Sequence, residues 1–172
     1  MLFIWLQIQF PNLVDLKLTS VNVEKIWSHH ITEESLCTQN LTSLMIEGCG
    51  NLSYLFTSSM VKHLAQLKKL EISDCNLIGE IIVAETEENM RNISFSKLEF
   101  LKLKTLPMFT GFCTANLIEC SSLKILQLEN CPRLQTFISS PVRVTNRQEN
   151  SSLFDEKVIH LLYFFCPFHV LI

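Results

Sequence analysis

Residues 123–137 read Leu-Lys-Ile-Leu-Gln-Leu-Glu-Asn-Cys-Pro-Arg-Leu-Gln-Thr-Phe. Apolar side chains stand at Leu123, Leu126 and Leu128, then at Cys131, Leu134 and Phe137. The same spacing recurs upstream at Leu41, Leu44, Ile46, Cys49, Leu52, Leu55, and again at Leu67, Leu70, Ile72, Cys75, Ile78, Ile81. A fourth copy, Leu98, Leu101, Leu103, Leu106, Phe109, Phe112, puts leucine where the others have cysteine. The first, Leu13, Leu16, Leu18, Val21, closes one residue early, at Ile26.

The copies start 28, 26, 31 and 25 residues apart. Anchors of the form L-x-x-L-x-L-x-x-N/C-x-L at that period define a leucine-rich repeat, in which no unit buries its apolar face alone and stacked neighbours build one core. Each x-L-x-L-x segment alternates apolar and polar positions, the signature of a strand with one buried face. We therefore expect strands near 15–19, 43–47, 69–73, 100–104 and 125–129, side by side and parallel. The expected fold is an α/β solenoid: a curved parallel sheet of about five short strands on the concave side, with helices and loops on the convex side.

The return segments carry weaker signals. Residues 58–66 offer a serine N-cap at Ser58 and apolar positions at Met60, Val61, Leu64 and Leu67, the spacing of an amphipathic helix. Residues 83–94 are rich in Glu and Asn and read as a solvated loop, and residues 114–120 as a short helical turn. The domain reading is a lead-in over 1–10, repeats over 11–138, a polar linker over 139–158 and an apolar tail over 159–172. The tail has no period, and its 14 residues contain Pro167. They fall short of the roughly 20 needed to cross a membrane. Three readings of it stay open: a tail packed on the last repeat, a peripheral membrane contact, or non-native coding sequence, the last being preferred.

A chain of 172 residues with 48% hydrophobic content can bury a sizeable core. Its net charge of −3 is spread without basic runs, so no nucleic-acid or membrane partner is expected. Of seven cysteines, Cys49, Cys75 and Cys131 share one repeat slot, where a thiol serves as a small buried side chain. That usage fits a reducing, cytoplasmic setting better than a disulfide framework. The sequons at Asn40, Asn51, Asn92 and Asn150 would then stay empty, and the apolar Met1–Phe10 stretch lacks the marks of a cleaved signal.

Several phrases resemble the leucine-rich-repeat region of plant intracellular immune receptors, the coiled-coil nucleotide-binding disease-resistance proteins. They are Phe10-Pro-Asn-Leu13, Val23-Glu-Lys-Ile-Trp27, Leu41-Thr-Ser-Leu-Met-Ile-Glu-Gly-Cys-Gly-Asn-Leu52, Leu55-Phe-Thr-Ser-Ser-Met-Val61, Leu67-Lys-Lys-Leu-Glu-Ile-Ser-Asp-Cys75 and Leu128-Glu-Asn-Cys-Pro-Arg-Leu134. The resemblance spans residues 10 to about 158. It implies a recognition module whose partner is a protein: a pathogen effector, a guarded host protein, or the receptor's own nucleotide-binding domain within a longer chain. No phosphate-binding Gly-x-x-x-x-Gly-Lys-Ser/Thr motif is present, so the nucleotide switch is not carried over and no cofactor is expected. The chain reads as a truncated receptor.

In such a solenoid the outward strand residues form the usual binding face. The middle row is Lys17, Met45, Glu71, Lys102 and Gln127. It is flanked by Asp15, Ser43, Lys69, Phe100, Ile125 and by Thr19, Glu47, Ser73, Lys104, Glu129. The candidate partner-binding residues are Lys17, Met45, Lys69, Glu71, Phe100, Lys102, Ile125 and Gln127, whose mixed charge beside an apolar pair suits a protein surface. Catalysis is not expected: His29, His30 and Cys37 form the one local grouping of reactive type, at no zinc spacing. The alternative function is a substrate-binding repeat subunit of a ubiquitin ligase, which shares the cysteine slot but normally carries an upstream F-box.

Overall fold

The computed structural model describes residues 12–27, 38–85, 93–113 and 118–134. Five strands of five residues, β1 (Asp15–Thr19), β2 (Ser43–Glu47), β4 (Lys69–Ser73), β7 (Phe100–Lys104) and β10 (Ile125–Glu129), form one parallel sheet in the order β1-β2-β4-β7-β10. All five occupy the spans expected from the alternation.

The register follows the repeat template. Leu16, Leu44, Leu70, Leu101 and Leu126 are successive Cα partners, as are Leu18, Ile46, Ile72, Leu103 and Leu128. These two rows face inward. They are fully buried in β2, β4 and β7 and half-buried in β1 and β10, which among the described residues have a sheet neighbour on one side only. Cys49, Leu52, Leu55 and their equivalents Cys75, Ile78, Ile81 and Leu106, Phe109, Phe112 complete the core. In the first repeat Val23 and Ile26 take those places, as the early closure requires.

Backbone bonds repeat with the same period. The carbonyl before each strand (Val14, Thr42, Lys68, Glu99) accepts two N–H groups of the next repeat at 2.8–3.1 Å. The residue after each strand is left-handed: Ser20, Gly48, Asp74, Thr105 and Asn130 have φ of 54°, 66°, 54°, 50° and 54°. Through this turn the first four donate their N–H to the last strand carbonyl of the next repeat, at 2.7–3.0 Å. Glycine and asparagine adopt such a conformation cheaply, whereas a β-branched side chain is strained there. Thr105→Asn should keep the 2.8 Å bond to Glu129 and stabilise the chain by on the order of 1 kcal/mol. Thermal melting checks it, and an unchanged or lower Tm would show that Thr105 carries no strain.

On the convex side, β3 (Phe56–Thr57), β5 (Glu80–Val83) and β8 (Gly111–Cys113) form a second parallel sheet, and β6 (Ile93–Ser94) pairs with β9 (Ile118–Glu119). Three local expectations change. The segment expected as an amphipathic helix is a 3-10 helix, Ser58–Leu64. Of its four buried residues, Ser58, Val61 and Leu64 follow a period of three, and Met60 widens the buried face. Ser58 is no N-cap; its hydroxyl accepts the Glu85 N–H at 3.3 Å, from the next repeat. The loop expected over 83–94 begins and ends in strand, at Val83 and Ile93, while 86–92 lie outside the described residues. The turn expected over 114–120 includes strand β9, because Ile118 pairs with Ile93. The lead-in 1–10, the linker and the tail also lie outside the described residues.

An aromatic column runs inside the return side. Trp27 stacks on Phe56 with ring centroids 6.4 Å apart, Phe56 lies 6.5 Å from Phe95, and Phe95 meets Phe112 edge-on at 6.0 Å. Each contact joins one repeat to another, so the column ties the stack together on the side opposite the main sheet.

Candidate functional site

Alternation sends every second strand residue outward, and the parallel register lines those residues up across the sheet. Lys17, Met45, Glu71, Lys102 and Gln127 are successive Cα partners and form the middle row as expected. Lys69, Phe100 and Ile125 are successive partners in one flanking row. All eight candidate residues therefore share one face. Lys17 and Ile125 are exposed and the other six half-buried by their neighbours.

The charges are largely paired within the face. Lys17 meets Glu47 at 3.2 Å, Lys69 meets Glu71 at 2.7 Å, and Lys104 meets Glu129 at 2.9 Å. The hydrogen bond from Lys104 to Glu129 holds the lysine ammonium above its ordinary pKa. The Lys69 ammonium also lies 5.5 Å from the Phe100 ring centre, a cation over an aromatic face. Beside Phe100, Ile125 is 47% exposed. The result is a surface whose charges are mostly paired, with one apolar shelf.

Beyond the expected residues, Val14 is 46% exposed just before β1, and two further exposed apolar residues lie on turns. Leu77 and Met108 are 50% and 39% exposed. Each lies two residues beyond the cysteine slot, on the turn that leaves the sheet. The equivalent residues in repeats two and five, Asn51 and Arg133, are polar, and that contrast was the available signal.

The slot cysteines are structural. Cys49, Cys75 and Cys131 donate their thiols to the last carbonyls of their own strands, Glu47, Ser73 and Glu129, at 3.7, 3.2 and 3.5 Å. Burial pushes the Cys75 thiol up to about 11 and Cys120 to about 12, and raises Cys131 as well. The thiolate is the nucleophile, so these groups are poor nucleophiles at neutral pH. Because the folded pKa lies above the ordinary value of 9.0, their stabilising contribution is complete below pH 9 and falls as pH rises toward 11–12. Alkylation of Cys75 at pH 7.5 should wait on unfolding; labelling of the native chain at the rate of a free thiol would contradict the burial.

A hollow of about 370 Å³ at one edge is lined by Asn12, Val14, Asn40, Thr42 and Gln66, with no titratable side chain. Among the described residues no cluster of three or more His, Cys, Asp or Glu could hold a metal ion, and no helix is long and apolar enough to cross a membrane. His29, His30 and Cys37 lie outside the described residues.

The geometry agrees with comparisons to known proteins. A probable disease resistance protein of Arabidopsis thaliana, At4g27220, is 27% identical over 144 residues, which cover 81% of this chain and 16% of that protein. The chain thus spans a small part of the curated relative it matches. No solved structure matches it. The family described as plant disease resistance protein RPS2-like, leucine-rich repeats, matches residues 12–146, a span that takes in all five repeats, and the chain belongs to that family.

Proposed function

We propose that the chain is the protein-recognition module of a plant intracellular immune receptor and acts in defence through its concave face. The observation that carries this reading is the single outward surface of five registered strands, on a chain of the disease-resistance family. Such surfaces are the usual binding faces of solenoids. The partner is a pathogen effector, a guarded host protein or a nucleotide-binding domain of the same receptor. The eight candidate residues from Lys17 to Gln127 supply the contacts, and no cofactor or catalytic step is needed. The free thiols of Cys49, Cys75, Cys120 and Cys131 fit a reducing cytoplasm.

Expression in leaf tissue as a biotin-ligase fusion tests the reading. Met45→Arg, Glu71→Lys and Lys102→Glu should each remove a common set of labelled proteins, while Leu77→Ser and Met108→Ser, off the sheet, retain it. Loss with the loop variants and retention with the concave ones would move the binding face elsewhere. Glycan on Asn40 or Asn51 would place the chain in the secretory pathway and refute the cytoplasmic assignment.

A further inference from the structure

Charge is not balanced evenly along the concave face. Lys17, Lys69 and Lys104 each have a carboxylate partner within 3.2 Å. Among the described residues Lys102, at the centre of β7, has no ion pair. Its register neighbours are Glu71, already held by Lys69 at 2.7 Å, and the neutral Gln127. β7 carries Lys102 and Lys104 and no carboxylate of its own; Glu129 of β10 compensates Lys104, which leaves Lys102 as the strand's cation without an ion pair among the described residues.

The same strand bears the apolar shelf. Phe100 lies two residues before Lys102 on the same face, about 7 Å away along the strand. Its Cα partner Ile125 sits in the next strand and is 47% exposed. An ammonium without an ion pair therefore stands next to an apolar pair, of which Ile125 is exposed and Phe100 half-buried beneath Lys69. A polyanion does not fit, because Glu47, Glu71 and Glu129 line the same sheet. A basic segment would meet Lys102, a like-charge juxtaposition.

We propose that the β7–β10 end of the concave face takes a protein segment in which a carboxylate adjoins a large apolar side chain. The carboxylate pairs with Lys102, and the apolar group covers Phe100 and Ile125. This deepens the recognition reading above and rests on it.

A random-peptide phage library selected on the full 172-residue chain, and in parallel on Lys102→Glu, tests the proposal. Peptides from the parent chain should carry Asp or Glu within two residues of Leu, Ile, Phe or Trp. They should lose about ten-fold or more in affinity on Lys102→Glu. Selection on that variant should return Lys or Arg at the same place. Ile125→Ser, at an exposed position, should weaken the parent peptides without altering far-UV circular dichroism. Peptides without acidic enrichment, or indifferent to Lys102 and Ile125, overturn the proposal. If they still respond to Met45→Arg or Glu71→Lys, the concave-face reading survives that failure. If they ignore every concave substitution, or none is enriched, both readings fall.

Discussion

Leu70→Ala should cost about 2–5 kcal/mol of unfolding free energy, and Leu126→Ala, at the same template position, about 1–2 kcal/mol. Leu70 is fully buried, with β2 and β7 on either side of its strand. Truncation there removes transfer energy and leaves a cavity that rigid strands cannot collapse. Leu126 belongs to the outer strand β10 and is half-buried, so less is lost. Urea unfolding of both variants measures the difference. Equal losses would mean that Leu126 is as well covered as Leu70. Because stability in a stack is a sum of neighbour interfaces, the Leu70 loss falls on two interfaces at once and endangers the whole array.

The second large effect belongs to the aromatic column. Phe95 is 1% exposed and touches Phe56 on one side and Phe112 on the other. Phe95→Ala should cost about 3–5 kcal/mol, from lost burial, two ring contacts and a cavity between repeats. Phe95→Leu refills much of the volume without the ring geometry and should recover about half of that. Near-UV circular dichroism should fall in both variants, since the coupled rings lose their fixed surroundings. A Phe95→Ala chain as stable as its parent would show that the column contributes little to the stack.

The main sheet was legible because its residues repeat. Leu16 and Leu18, or Leu70 and Ile72, alternate with polar residues, and five copies in one frame fix both strand position and neighbour. The concave rows follow from the same arithmetic, so spacing alone aligns Lys17, Met45, Glu71, Lys102 and Gln127. The convex strands were not legible. Ile81 and Ile82 in β5, and Phe112 and Cys113 in β8, are buried consecutively, and a strand covered on both faces shows no alternation. The left-handed row at Ser20, Gly48, Asp74, Thr105 and Asn130 was hidden by its varied occupants, although Gly, Asp and Asn are residues that tolerate it.

At the candidate site, residue placement was readable and pairing was not. Lys69 pairs with Glu71 two residues along its own strand, not with the next strand, and also covers the Phe100 ring. These choices depend on side-chain conformers that no repeat pattern encodes. They are also what leaves Lys102 without an ion pair among the described residues.

The central claim is that the repeats stack in one register, so that the concave rows form a single surface. Amide hydrogen exchange on the full chain tests it most directly. Segments containing β2, β4 and β7 should be protected together and open as one unit, with β1 and β10 exchanging faster because among the described residues each has one sheet neighbour, not two. Protection that peaks outside these strands, or is absent from β2, β4 and β7, would contradict the stacked register and the recognition surface built on it.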